Sequence, residues 1–361
     1  MKIAVYTICK NEENYVKRWY ESSREADYHV LADTGSTDKT VEIARALGIT
    51  VVEVGISPFR FDDARNVSLA LVPLDADYCI ALDVDEILAP GWREPLEEAH
   101  KAGIDRPTYR RIESFNPDGS VCTEFDGFKV HRRHGIRWHY PIHEVPQWYA
   151  DRDEVKERID DFEIHHHQNK ETSRKQYLPL LEMAVKENPD ARNLYYLGRE
   201  LSYYKEFDRC AEILKQYLEI SIFPQERSAA CRILGQAEPK QAEEWFIKST
   251  EEWASRESYL ALANLYYVEK EWDACNLVAK KALAFDKKPM EFLSEAWAWG
   301  HMADDLIAVS AWQLGDFKTA LKHGEKALAL SPNDQRLQTN VKFYRSKLDA
   351  NVQSTDKRGS N

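Results

Sequence analysis

Residues 81 to 90 read ALDVDEILAP, an apolar run closed by three acids, Asp83, Asp85 and Glu86, within four positions. Like charges that close repel, so positive groups must sit among them. One reading makes Asp83 and Asp85 turn residues that cap the following helix. The other is chemical. Alternation along LDVDE sends Leu82 and Val84 to the interior and turns both Asp side chains the same way. Two carboxylates on one face at a strand end suit a hard divalent cation, Mg2+ or Mn2+, with positions left open for phosphate oxygens. The chain has neither a Walker A sequence nor G-x-G-x-x-G. A metal held by D-x-D would therefore stand where a glycine loop otherwise cradles phosphate.

The second chemical cluster is imidazole. Seven of the eleven histidines fall between 131 and 167, in VHRRHGIRWHYPIHE and EIHHHQNK. Zinc is conceivable there, but the cysteines lie elsewhere and the spacing matches no structural zinc pattern. His131, His134 and His139 read as core or surface imidazoles. In FEIHHHQ, Ile164 and His166 share a face of the strand.

The elements that must hold these groups alternate in the first half. KIAVYTI (2–8), YHVLA (28–32), TVVEV (50–54) and DYCIALD (77–83) predict buried strands. NYVKRWYESS and KTVEIARALG carry helical spacing between them, the second stopping at Gly48. Such alternation predicts an α/β domain with a mostly parallel sheet, whose ligands bind beyond the carboxyl ends of the strands. TICKNEE, DTGSTD, RFDDARN and DVDE then share one edge. In the first of these, Asn11 and Glu12 are expected to cap the first helix.

From about residue 172 the patterns become helical and repetitive. With Gly198, Ala230, Ala263 and Ala308 set as equivalent, Cys210, Ala242, Cys275 and Ala320 fall at one small position twelve residues later. This half resembles a tetratricopeptide array, clearest in AVSAWQLGDFKTALKHGEKALALSPND, where small residues at helix crossings are structural. The predicted division is 1–171 for the α/β domain, 172–349 for TPR-like helical repeats and 350–361 for a disordered polar tail.

Charge and length agree with that plan. The 361 residues exceed a usual single domain, and 49 Lys plus Arg against 61 Asp plus Glu leave a net −12. That balance opposes broad nucleic-acid affinity. Six scattered cysteines without a C-x-x-C pair predict reduced packing residues and a cytoplasmic setting. The apolar run of MKIAVYTICKNEEN is too short for a signal peptide, and no later run reaches membrane-span length.

YTICKNEE, ADTGSTDKT, FDDARN and LDVDE, in this order across residues 1 to 90, resemble a family 2 glycosyltransferase of the GT-A fold. The resemblance implies that Thr7 and Asp33 hold the nucleotide base and Arg65 the diphosphate. It also implies that Asp83 contacts the ribose or metal and that Asp85 ligates metal. A bound Mn2+ or Mg2+ is the implied cofactor. Other readings remain open for two of these residues: Asp33 as a turn-forming Asx residue, and Arg65 as a salt-bridge partner of Asp62 or Asp63. Similar transferases with tetratricopeptide tails carry an HE pair and a later metal-binding His. Here these are His143–Glu144 and one of His165, His166 or His167, with His166 preferred. Where similar proteins often continue with Gly, this chain has Gln168 and Asn169.

Glu144 is then the candidate base that deprotonates an acceptor hydroxyl, with Asp126 and Asp161 in reserve. Its alternative is a structural pair with His143 or Arg137. The implied reaction is an inverting transfer from a nucleotide sugar, UDP-glucose foremost, to a macromolecular acceptor. The repeats would dock that acceptor or a second copy of the chain. Two rival readings are a non-catalytic repeat scaffold and a transferase acting on modified DNA bases through the basic stretch KVHRRHGIRWH.

Overall fold

The computed structural model describes residues 1–116, 118–167, 176–289 and 293–356, without the side chains of 349–356. The chain divides into two units, Met1–Asn188 and Pro189–Asn361.

Four strands of the first unit run parallel: β1 (Ile3–Cys9), β2 (Tyr28–Asp33), β3 (Thr50–Glu53) and β4 (Tyr78–Ala81). Their order is β3-β2-β1-β4, and β8 (Val130–Arg132) closes the sheet antiparallel to β4. β1 and β4 are apolar almost throughout and bury accordingly, as strands covered on both faces must. Helices α1 (Val16–Ser23), α2 (Thr40–Ala46) and α3 (Phe61–Leu71) cross between the first four strands. The strand expected to reach Asp83 stops at Ala81. Leu82 and Val84 stay buried beyond it, and the Glu86 amide donates to the Asp83 carbonyl (2.9 Å) to make a turn.

After that turn come β5 (Glu86–Leu88), α4 (Arg93–Lys101), β6 (Arg106–Phe115) and β7 (Val121–Gly127), with β11 (Lys156–His166) later in the chain. The order β5-β11-β6-β7 makes a second sheet, while β9 (Ile136–His139) and β10 (Val145–Trp148) form a hairpin. Pairing of β11 with β5 sets His166 opposite Glu86. That register brings the histidine run to the acidic turn.

Helix α5 (Tyr177–Glu187) belongs to the first unit, so the division falls after Asn188 rather than at 171. Arg60, at the head of α3, explains part of the shift: its Nη1 donates to both Glu187 oxygens (2.8 Å each). Residues 168–175, with Gln168 and Asn169, lie outside the described residues.

The second unit is a TPR-like helical repeat built of hairpins. These are α6 (Ala191–Tyr203) with α7 (Phe207–Ile220), α8 (Pro224–Ala237) with α9 (Ala242–Glu252), α10 (Arg256–Glu269) with α11 (Trp272–Leu283), and α12 (Met302–Gln313) with α13 (Phe317–Leu330). Asp190, Ser255 and Asp316 each accept an amide hydrogen bond at a helix start, capping α6, α10 and α13. All eight aligned small residues are buried. At Gly198 a Cβ would strike Leu214, so α6 and α7 approach that closely only over glycine. Cys210 and Cys275 are core thiols, and all six cysteines are free. The expected tail from 350 is helical as far as Asp356, the end of α14 (Gln335–Asp356), and 357–361 lie outside the described residues. None of the described helices is long and apolar enough to cross a membrane.

Asp105, fully buried, holds the first unit's strands together. It accepts from Arg132 Nε (2.6 Å), Arg152 Nη1 and Nη2 (2.5 and 2.6 Å) and the Val155 amide (3.0 Å). The Arg152 bond chiefly holds its carboxyl down to about 2, against burial, with the Val155 amide and Arg132 adding to it. A depressed pKa stabilises the fold above the unfolded value near about 4 and is lost as pH falls through the folded one. Asp105→Asn should therefore melt lower at neutral pH, by on the order of 1–3 kcal/mol. The gap from the parent should close as pH falls from about 5 toward about 2. A gap unchanged across that range would remove Asp105 as its source.

Candidate active site

Helix α3 starts just past the sheet's carboxyl edge and turns Arg65 inward, where the residue is only 3% exposed. Arg65 Nε donates to Glu144 Oε1 (3.0 Å) and Nη2 donates to Asp83 Oδ1. The Trp138 ring lies 5.4 Å from the guanidinium carbon. Lys129 Nζ pairs with Asp83 Oδ2 and reaches Glu86 Oε1 at 3.3 Å. Arg111 meets the same Glu86 oxygen (2.8 Å). The acids at 83 to 86 are thus neutralised by Arg65, Lys129 and Arg111 at one end and by His166 at the other.

The electrostatics follow from that packing. Burial would raise the Asp83 carboxyl, but the charges of Arg65 and Lys129 outweigh it and hold the group well below the usual carboxylate range. Burial likewise works against the Arg65 charge, and Asp83 and Glu144 more than offset it. One Arg65 nitrogen, Nη1, is closed to solvent and has no hydrogen-bond partner among the described residues. A buried guanidinium N–H left unpaired is costly, and a phosphate oxygen is a fitting acceptor.

His166 lies with Nε2 3.2 Å from Asp85 Oδ2 and Nδ1 3.2 Å from Glu113 Oε1. Burial lowers its pKa, but the flanking carboxylates of Asp85 and Glu113 outweigh it and push it up to about 10. His165 turns to Glu163 (3.0 Å), and the His167 ring stacks on Phe115. Among the described residues no group of three or more His, Cys, Asp or Glu side chains could hold a metal. The pair Asp85–His166 nevertheless fits two neighbouring ligands of an octahedral divalent ion, which stand roughly 3 Å apart. Carboxylate plus imidazole also suits Mn2+ chemically.

Thr7 is buried on β1, and its carbonyl accepts from Ser68 Oγ (2.8 Å) of α3. Asp33, buried at the end of β2, acts as the Asx residue of DTGS: its carboxylate accepts from the amides of Gly35 (3.1 Å) and Ser36 (3.0 Å). Asn11 and Glu12 do not cap α1, whose N-cap position is Tyr15, without a side-chain cap. The β1–α1 loop is instead bonded across to the β2–α2 loop. The Asn11, Glu12 and Glu13 amides donate to Ser36 Oγ, Thr40 Oγ1 and Asp38 Oδ2 (2.8, 2.7 and 3.1 Å). The Thr37 and Lys39 amides answer to Asn11 Oδ1 and Glu13 Oε2 (2.8 and 3.0 Å).

Several expected alternatives do not form. Asp62 pairs with Arg60 (3.0 Å), as does Asp63 (3.7 Å), leaving Arg65 to Asp83 and Glu144. Asp126 pairs with Arg158 and Asp161 is exposed on β11, both apart from the Arg65 pairs. Three of the four Lys and Arg residues at 129–139 are spent internally, Lys129 on Asp83, Arg132 on Asp105 and Arg133 on the Val72 carbonyl (3.0 Å), while Arg137 is exposed. His131 is a core imidazole between Tyr6 Oη (2.8 Å) and the Arg132 carbonyl (2.7 Å), and burial pushes it down to about 4. Sequence reasoning missed Lys129, Arg111 and Glu113. The only signal for the two cations was the demand of three crowded acids for positive charge, and Glu113 had none.

Residues 4–138 match the family described as Glycosyl transferase family 2, so the first unit carries a family 2 glycosyltransferase domain. No curated protein matches the chain. Solved structures similar to it include a thermophilic TPR protein of Thermus thermophilus, at 22% identity and TM-score 0.33, covering 47% of this chain and 88% of that one. Pseudomonas aeruginosa pilF is 20% identical with TM-score 0.37, covering 47% and 72%. MamA is 19% identical with TM-score 0.36, covering 43% and 86%.

Arg65→Lys keeps the charge but loses the fork that bonds two carboxylates at once. The variant should unfold earlier in urea, by on the order of 2–4 kcal/mol. Unfolding indistinguishable from the parent would show that Asp83 and Glu144 do not depend on the fork.

Proposed function

We propose that the protein is an inverting, metal-dependent glycosyltransferase that moves a hexose, glucose foremost, from a UDP-sugar to a hydroxyl of a macromolecular acceptor. One observation carries the reading: a buried Arg65 joins Asp83 to Glu144 and keeps Nη1 without a partner at the edge where a diphosphate would lie. Donor carboxylate, candidate base and an unsatisfied phosphate donor thus share one residue.

In this reading Thr7 and Asp33 border the nucleoside pocket at the ends of β1 and β2, and Arg65 bonds the diphosphate. Asp85 and His166 would hold Mn2+ or Mg2+, which when bound would supply positive charge against the diphosphate. Glu144 takes the proton of the acceptor hydroxyl as its oxygen attacks the anomeric carbon, and the bond from that carbon to the diphosphate breaks. Asp83 keeps Arg65 and Lys129 oriented. The helical repeats recruit the acceptor, or a second copy of the chain, as stacked hairpins present extended surfaces. The net −12 and the internal use of Lys129, Arg132 and Arg133 favour a peptide, protein or glycan over DNA.

Incubating the protein with several nucleotide sugars and Mn2+, and following nucleotide release, tests the donor; release from none of them would overturn the reading. Asp85→Ala should abolish metal-dependent release while circular dichroism and melting stay near the parent's. Unchanged release in chelator would refute the metal.

Glu144→Gln keeps the shape and one oxygen but cannot take a proton. Turnover on a hydroxyl acceptor should fall by on the order of 10²–10⁴-fold, with donor affinity changed little. Near-normal turnover would move the base elsewhere.

A further inference from the structure

The face of α3 opposite Arg65 borders a cavity of about 720 Å³ within the first unit. Asp63, Val67 and Ala70 recur along that face at helical spacing, and all three are exposed, so the cavity is an open groove. The loop after β3 adds Pro58, the end of α5 adds Glu187 and β9 adds Arg137. No residue assigned to the donor, the metal or the base is among the described residues that line it. Its charges cancel, with Arg60 and Arg137 against Asp63 and Glu187. Arg60 is held by Asp62, Asp63 and Glu187. Arg137 is exposed and joins no ion pair among the described residues.

The hairpin of β9 and β10 continues the groove. Pairing sets Arg137 opposite Gln147, so both side chains leave one face of the hairpin, with His139 two residues further on. Trp138, between them, is turned into the core. Tyr149 follows on the outer face, its amide donating to the Gly135 carbonyl (2.7 Å). Its Oη contacts His139 Nε2 and lies 3.2 Å from Gln147 Oε1, and the two rings stack at 5.6 Å and 21°. These contacts fix the ring, yet Tyr149 stays 54% exposed. A held aromatic thus stands in the open beside a cation without a carboxylate.

We propose that this groove and the hairpin face beside it bind a chain of neutral hexopyranose units, as a glycan acceptor. A pyranose has an apolar C–H face that packs on an aromatic ring or an aliphatic floor, and a rim of hydroxyls that both donate and accept. Tyr149 supplies the ring, and Pro58, Val67 and Ala70 supply the floor. Arg137 donates, Asp63 and Glu187 accept, and Gln147 does both. The balanced charge gives no net pull on an acidic or a basic chain. The volume lies within the roughly 300–1,000 Å³ of small-ligand clefts. The role as acceptor site rests on the transferase reading above. Glu144 directly precedes β10, so the hairpin that grips the chain also carries the candidate base.

The test is ligand-observed NMR titration of the full chain, without metal or nucleotide sugar, using maltohexaose, cellohexaose and mannohexaose. At least one should bind the parent. Tyr149→Ala and Arg137→Gln, both at exposed positions, should each weaken that chain by about fivefold or more. Tyr149→Phe keeps the ring and should stay within about twofold of the parent. Lys17→Met, exposed on α1, should do nothing. Binding of none of the three chains would overturn the surface. So would affinity within about twofold of the parent in folded Tyr149→Ala or Arg137→Gln. Binding of hexa-aspartate instead, lost in Arg137→Gln, would overturn it in favour of an acidic peptide. Nucleotide release keeps the two readings apart: release from no nucleotide sugar while a hexose chain still binds overturns the transferase and leaves the glycan surface standing.

Discussion

A guanidinium group shut away from water has to find its counter-charge inside the protein, and Arg65 organises the first unit around that demand. Its two carboxylates come from distant segments, the acidic turn at Asp83 and the HE pair at Glu144. Its ring partner comes from β9, where Trp138 exchanges hydrogen bonds with Asn66 and passes one on to Tyr6 and so to His131. Sheet, α3 and hairpin thus meet on one charge. Removing either carboxylate would leave a buried cation short of a partner, so the pieces cannot drift independently.

The second unit obeys a different constraint. Close approach of helices, rather than a single charge, dominates it. Small residues recur at the crossings because a larger side chain would separate the pair, as Leu214 against Gly198 makes plain. Each hairpin is stabilised chiefly by its neighbours, and side-chain caps at Asp190, Ser255 and Asp316 set where helices begin.

Periodicity made the architecture legible. β1 to β4 and the repeat spacing follow from apolar patterning, because burial on two faces or on one stripe leaves a trace in residue order. The acidic turn declared itself by its own repulsion. What could not be read was which cation answers which acid: Lys129, Arg111 and Glu113 are distant in sequence, and pairing at range leaves no local pattern. Asp33 was legible as an Asx residue, since DTGS sets a carboxylate two and three residues ahead of the amides it accepts from. The cap assigned to Asn11 and Glu12 failed for a related reason. A polar side chain before a helix has more than one backbone to bond, and here the neighbouring loop offered the better geometry. The end of α5 was hidden likewise, because the Arg60–Glu187 pair spans 127 residues.

The five bonds from backbone amides to side chains between the β1–α1 and β2–α2 loops bear on how this edge can change. Each loop completes the other's amides, so neither has a conformation of its own to explore. The two behave as one rigid lip, and an insertion in either would strand donors in both. Drift in sequence there has to be concerted, while the outer faces of α1 and α2 remain free to vary singly. This rim of the sheet's carboxyl edge is inherited as a unit.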